Sequence, residues 1–318
     1  MEEQMVQQPG EQDEGCSICT KPAVARLTSP DRLLCADHFR MDCEERVKSA
    51  IMTMITPGDR IAVGLSGGKD STALLLILTE ILDPPGDVSL TAITIDEGID
   101  GYREETRAAA TNLTRQLGID QIEISFSELY GHDLDAMLAG RENEACTVCG
   151  VLRRRALLEG ARRAGATKIA TGHNLDDESQ SVLMNVLRGD LPRLVMDTAS
   201  GYPDCFIPRI KPLSPLSEKE IVIYLMVRGA FPDLPECPYA HTALRGEVRE
   251  MIAELELHHP GTKMNLIAAR DGVRELFGGD CATDALPGSG SVTWCRRCGE
   301  VCSGDICSVC RVLSGLDT

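Results

Sequence analysis

RIAVGLSGGKDS, residues 60–71, is an apolar run that breaks into a glycine-rich turn, and STALLLILTEIL, residues 71–82, follows with an apolar helix pattern. A short apolar run bounded by turn residues reads as a buried strand, so the stretch is strand, turn, helix. In such a turn the backbone N–H groups and the helix dipole point at an anion. Ser66 and Ser71 add hydroxyl donors, Lys69 adds a charge, and Asp70 is placed to hold Mg²⁺ beside phosphates. A Walker A loop needs four residues between its glycines and Ser or Thr directly after Lys. Here three residues separate Gly64 from Gly68 and Asp70 follows Lys69, so this is a different phosphate loop. The competing reading is a glycine-rich connection with no ligand, but Ser-Gly-Gly-Lys-Asp-Ser between strand and helix is far more specific than that.

Outward from the turn, strands and helices alternate. Residues 88–96, 119–126, 167–173 and 205–213 read as further strands; 102–118, closing at Gly118, 150–165, and 174–189 with Asn174 as N-cap read as helices. This alternation predicts an α/β fold with a doubly wound parallel sheet. Helical patterns also run over 44–55, 217–228, 241–257 and 262–277. The expected organisation is a disordered tail at 1–15, a zinc module at 16–45, the catalytic domain at 46–215, a helical lobe at 216–280, and a linker with a second zinc module at 281–318.

The 318 residues include 32 Lys or Arg and 49 Asp or Glu, a formal charge of −17, which argues against gripping nucleic acid with the whole surface. A local basic groove stays open: residues 141–211 hold eleven cations and nine acids, and Arg153, Arg154, Arg155, Arg162 and Arg163 fall within eleven positions. A solvated helix face is the plain reading of that cluster. Aromatic residues are only 3%, so a surface built on many stacking rings is excluded. With no apolar run of membrane-spanning length and no basic or apolar leader pattern, a cytoplasmic protein without membrane association is expected.

Fourteen cysteines are many for such a protein. Cys16-x-x-Cys19 is followed after fifteen residues by Cys35-x-x-His38, and Cys295-x-x-Cys298 after eight by Cys307-x-x-Cys310. Two close pairs on two turns are what a tetrahedral zinc site needs, and a full quartet leaves no open ligand position, so both read as structural. Cys146-x-x-Cys149 stands alone as a redox dithiol, half a metal site or a chance pair, with Cys237 in its Pro-rich loop as the candidate distant partner. Cys43, Cys205, Cys281 and Cys302 have no patterned partner and read as structural or incidental.

SGGKDS resembles the PP-loop of the N-type ATP pyrophosphatases. With ITIDEGIDGYR (93–103), CTVCG (146–150), TGHNLDDE (171–178), Cys237 and the flanking quartets, the chain resembles the TtuA/NcsA-type tRNA 2-thiouridine synthetases over roughly residues 16–312. The resemblance implies that Gly64, Ser66, Gly67, Gly68, Lys69, Asp70 and Ser71 cradle ATP. It implies that Ile95 meets the adenine, that Gly172 and His173 line the nucleotide pocket, and that Asp177 assists catalysis or holds Mg²⁺. Cys146, Cys149 and Cys237 would bind a [4Fe–4S] cluster with one open iron. The family places a catalytic lysine where this chain has Arg153, which cannot give up its proton at working pH. The implied reaction is ATP-dependent 2-thiolation of U34 or U54 of tRNA, with adenylation preceding sulfur transfer. ATP, Mg²⁺, the cluster and two Zn²⁺ would be the cofactors. Implied partners are tRNA, a ubiquitin-like sulfur carrier and a second copy of the chain. In this setting the basic helix reads as a phosphate contact. Rival readings are a cluster-free persulfide mechanism, a cytidine-thiolating relative and a non-catalytic zinc-ribbon RNA-binding protein.

Overall fold

The computed structural model describes residues 15–28, 31–82, 87–190, 193–194, 206–232, 237–239, 244–277, 293–302 and 304–316. The expected N-terminal tail through residue 14, the linker at 278–291, Cys205 and Cys281 lie outside these residues.

In chain order the elements are β1 (Ala25–Thr28), β2 (Asp31–Leu34), α1 (Ala36–Ile51), β3 (Arg60–Gly64), α2 (Lys69–Ile81), β4 (Ser89–Asp96), α3 (Arg103–Leu117), β5 (Asp120–Ser125), α4 (Phe126–Tyr130), α5 (Leu134–Met137) and α6 (Ala145–Arg163). After these come β6 (Lys168–Ala170), α7 (Leu175–Leu187), β7 (Arg209–Ile210), α8 (Glu218–Val227), α9 (Leu244–His258), α10 (Thr262–Phe277), β8 (Thr293–Trp294), β9 (Val301–Cys302) and α11 (Ser308–Leu316). The central sheet is parallel throughout, in the order β5-β4-β3-β6-β7. The chain fills one side of β3, then crosses to the other, so the doubly wound reading holds and the topological switch point falls between β3 and β6.

Both sheet faces are covered, which is why β3 is apolar without alternation: Ile61, Ala62 and Val63 are all buried. One face packs against α2, whose residues Ser71–Leu78 are buried without a break, with α1 and α8 behind it. The other face packs against α6, whose Gly160 lies so close to Ile93 that a Cβ there would collide with that side chain.

Four elements differ notably from the sequence expectation. Helix α1 begins at Ala36 rather than residue 44, because Phe39, Cys43, Val47 and Ile51 recur every fourth position on one buried face. Helix α6 begins at Ala145 rather than residue 150, so Cys146 and Cys149 sit in its first turn. Strand β7 is only Arg209–Ile210, and β6 stops at Ala170, leaving Gly172 and His173 in the loop beyond it. Among the described residues no helix is long and apolar enough to cross a membrane.

Candidate functional site

The two ligand quartets share one construction. In each, a tight turn presents the first Cys-x-x-Cys pair and a helix start presents the second: Cys35 precedes α1, which carries His38, and Cys307 precedes α11, which carries Cys310. Positions three apart at a helix start face the same way. The donor atoms of each quartet lie within 4.8 Å of one another. Cys19 Sγ and Cys35 Sγ are 3.7 Å apart, and Cys298 Sγ and Cys307 Sγ 3.6 Å. A zinc ion with sulfur at about 2.3 Å in tetrahedral geometry sets about 3.8 Å between sulfurs, so the quartets have the span of one such ion. Backbone N–H donation from Cys307 and Cys298 brings the Cys295 thiol down to about 6, toward the thiolate a metal takes.

The C-terminal module is clamped onto α6. Glu300 receives two hydrogen bonds from Arg162, at 2.9 and 2.7 Å, and pairs with Arg155 at 2.7 Å. Two arginines expected to meet nucleic acid are therefore spent inside the molecule, and Arg163 pairs with Glu128 and Glu159. Trp294 is left 60% exposed rather than packed on its module.

The phosphate loop sits at the switch point, after β3. Gly67 has φ +89°, and a Cβ there would collide with the Thr106 carbonyl, so only glycine fits. Ser71 knits the loop, accepting from Ser66 N–H at 3.1 Å and donating to the Gly68 carbonyl at 3.0 Å. Lys69 Nζ is held 3.0 Å from Asp70 and 3.0 Å from Glu218 of α8, and Arg249 of α9 pairs with the same Glu218. The loop after β6 closes against this turn. A Cβ on Gly172 would stand 3.1 Å from the Asp70–Ser71 peptide, and Asn174 donates to Asp70 at 3.0 Å. Asn174 also caps α7 in a reciprocal box with Asp177, as its sequence position predicts. The second Asp177 oxygen accepts from Arg245 at 3.1 Å. Burial raises the Asp177 pKa and lowers that of His173, so the imidazole is neutral at pH 7.

A cavity of about 600 Å³ opens here. Of the sequence-predicted residues it is lined by Gly64, Ser66, Ile95, His173 and Arg153. Ser71 and Asp177 hydrogen-bond to the lining residues Ser66 and Arg245, whereas Gly67, Gly68, Lys69, Asp70 and Gly172 are not among the lining residues. The carbonyl of Ile95 is taken by Arg103 Nη2. Sequence reading missed Arg103 and Glu97, although both lie in the ITIDEGIDGYR segment. Glu97 is buried and joins two cations, Arg103 Nε at 2.7 Å and Arg153 Nε at 2.6 Å. It missed Arg209 and Lys211 too, which open β7 and directly follow it; a search for charge at the carboxyl ends of parallel strands finds Lys211.

Arg153 carries the cavity to the cysteines, its Nη2 lying 3.4 Å from Cys149 Sγ. Burial pushes the Cys149 thiol up to about 11, against the pull of Arg153 and with the help of the Glu97 carboxylate. Cys146 Sγ donates to the Tyr239 carbonyl at 3.1 Å, which docks the Cys237 loop beside the first turn of α6. The three sulfurs do not close to single-ion distances as the quartets do. Cysteine thiolates are the donors that an iron–sulfur cluster takes, so in its chemistry this donor set fits such a group. All twelve described cysteines are free.

A family model described as a PP-loop domain matches residues 40–230. The chain is 34% identical over 320 residues to the tRNA 2-thiolation protein NcsA of Haloferax volcanii, covering 95% of this chain and 99% of the relative. It is 37% identical over 313 residues to cytoplasmic tRNA 2-thiolation protein 1 of Bos taurus, covering 95% and 88%. The solved structure of the U34-tRNA thiolase NcsA from Methanococcus maripaludis with its [4Fe–4S] cluster superposes with a TM-score of 0.81 at 29% identity, covering 95% of this chain and 96% of that one.

Proposed function

The chain belongs to the tRNA 2-thiolation protein family and contains a PP-loop domain, and from that premise we propose that it replaces the C2 oxygen of a tRNA uridine, U34 or U54, with sulfur in an ATP-dependent reaction. The observation that carries the reading is the shared cavity: Ser66 of the phosphate loop and Arg153 beside Cys149 line one space. An activated carbon formed at the loop then lies next to the cysteines, and proximity of this kind supplies much of the rate.

The reaction balances in two steps. The uridine O2 attacks the α-phosphorus of ATP, the α–β bond breaks and pyrophosphate leaves. Sulfide then adds to C2, the C2–O bond breaks, and AMP departs with the oxygen. The backbone N–H groups of Gly67 and Gly68, the hydroxyls of Ser66 and Ser71, and the Lys69 ammonium hold the phosphates, while Asp70 takes Mg²⁺. Ile95, Gly172 and His173 border the adenosine. Asp177 assists from the cap of α7. Arg153 stabilises phosphate charge and moves no proton, since Glu97 holds its guanidinium pKa up against the burial that lowers it. Cys146, Cys149 and Cys237 would hold a [4Fe–4S] cluster, which when bound supplies an iron open to sulfide. The two quartets would hold structural zinc. The sulfur source is free sulfide or a carrier thiocarboxylate, and the working assembly is a homodimer.

The test is anaerobic purification with iron, sulfide and zinc analysis, followed by incubation with ATP, Mg²⁺, sulfide and unmodified tRNA. Pyrophosphate release and 2-thiouridine in the nucleoside mass spectrum are expected. No pyrophosphate would leave a non-catalytic RNA-binding protein, and full activity without iron would remove the cluster from the reaction. The U34 activity named for the Methanococcus maripaludis protein makes U34 the first substrate to try.

A further inference from the structure

Of the five arginines on one stretch of α6, four are neutralised within the molecule. Arg153 pairs with Glu97, Arg155 and Arg162 with Glu300, and Arg163 with Glu128 and Glu159. Arg154 meets no acid among the described residues. Its charged neighbours are cations: Arg193 and Arg209. Arg209 likewise meets no acid among the described residues. Its Nη2 donates to the Arg154 backbone carbonyl at 3.2 Å, which fixes it against α6. Burial, and then the neighbouring cation, lower the pKa of each guanidinium. In a chain with 49 acids and a charge of −17, two adjacent guanidiniums without a counter-ion among the described residues stand out.

Their place gives them a use. A second space, about 920 Å³, adjoins the phosphate-loop cavity as an open groove between α6 and the C-terminal metal module. Arg154 and Arg209 line both. We propose that Arg154 and Arg209 form a phosphodiester-binding subsite that holds the RNA strand where it passes from the groove into the phosphate-loop cavity. This rests on the tRNA reading above. The planar guanidinium fork suits a phosphate bidentately. ATP has its own donors at Ser66–Ser71. A strand that sends its base into the cavity must leave its backbone at the mouth, where these two side chains stand.

The experiment uses the metal-loaded full chain and an unmodified tRNA transcript, with tRNA Kd measured over a series of KCl concentrations and KM for ATP measured alongside. Arg154→Gln and Arg209→Gln should each weaken tRNA binding and make the log–log salt slope shallower by about 0.7 for a single-strand contact. KM for ATP should hold, Arg209→Lys should recover most of the affinity, and Arg163→Gln should have little effect. Unchanged tRNA affinity and slope in the Arg154→Gln/Arg209→Gln double variant would overturn the subsite. A raised KM for ATP with tRNA binding intact would assign the pair to the nucleotide instead and overturn it too. Equal weakening by Arg163→Gln would reduce the effect to general charge. A wild-type protein that binds no tRNA sinks the proposed function itself; one that binds and thiolates while the variants match it sinks only the subsite.

Discussion

Glu97→Gln removes one charge with almost no change in volume, at a point shielded from solvent. The Glu97 side chain is 2% exposed and that of its partner Arg103 4%. Glu97 Oε2 and Arg103 Nε face each other at 2.7 Å, yet neither atom has an aligned hydrogen-bond partner. Coulomb attraction across this contact therefore offsets part of the burial of both charges, and the rest falls to Arg153 on Glu97 and to the Thr106 hydroxyl and the carbonyls that Arg103 reaches. Removing one member of a buried pair costs about 3–5 kcal/mol, and glutamine, which keeps an oxygen toward Arg103, sets the lower end at about 3. At about 2–4 °C per kcal/mol, melting should fall by roughly 6–12 °C. Activity should fall as well, because Arg103 also reaches the Ser66 carbonyl at 3.4 Å, and Glu97 holds Arg153 across the cavity. Scanning calorimetry and the thiolation assay read the two effects. A companion variant separates them. Glu97→Leu with Arg103→Met replaces the pair by apolar bulk and should regain most of the melting temperature, while Arg153 stays unpartnered and activity stays low. A Glu97→Gln protein that melts within about 2 °C of wild type would refute the reasoning.

Lys69→Ala should block pyrophosphate release by roughly 30- to several-thousand-fold, since one charged phosphate contact contributes about 2–5 kcal/mol; iron content should not change, and wild-type release would remove the loop from the ATP site. Cys146→Ser, Cys149→Ser and Cys237→Ser should each lose iron and activity together while zinc stays bound, and full iron occupancy in the Cys237 variant would break the ligand set. Cys19→Ser and Cys298→Ser should instead lose zinc and weaken tRNA binding, because closed sites contribute folding energy rather than chemistry; lost adenylation with intact tRNA affinity would contradict that. The Arg162 hydrogen bonds hold the Glu300 carboxyl below its ordinary 4.5. A depressed carboxylate stabilises fully above its unfolded value, so the clamp is intact at neutral pH and weakens as pH falls below 4.5 and through the lower folded value. Hydrogen exchange over residues 293–316 should rise across that window and be insensitive to it in Glu300→Gln; a pH-independent wild type would contradict the clamp.

What could be read from the chain alone was whatever is encoded within a few residues or by a repeating period. The turn after β3 was legible because Gly67 must take a positive φ, and because Ser66, Ser71 and the N-terminal N–H groups of α2 are near neighbours in sequence. The quartets were legible because thiolates three apart on a turn or helix start share one ion. Alternating strand and helix patterns fixed the parallel sheet, and Asn174 announced its own cap. The start of α6 was not legible: Glu144 caps it with no side-chain bond, so the helix read as starting at residue 150, after the Cys-x-x-Cys pair. Nor could spacing say which acid an arginine meets. Arg153 finds Glu97 across 56 positions and Arg162 finds Glu300 across 138, and only packing of α6 on β4 and of the C-terminal module on α6 makes those pairs neighbours. The same packing decides which cations are spent and which are left. Charge carries no periodicity along a chain, and its partners are chosen by the sheet order and the helix faces that bring distant residues into the same low-dielectric space.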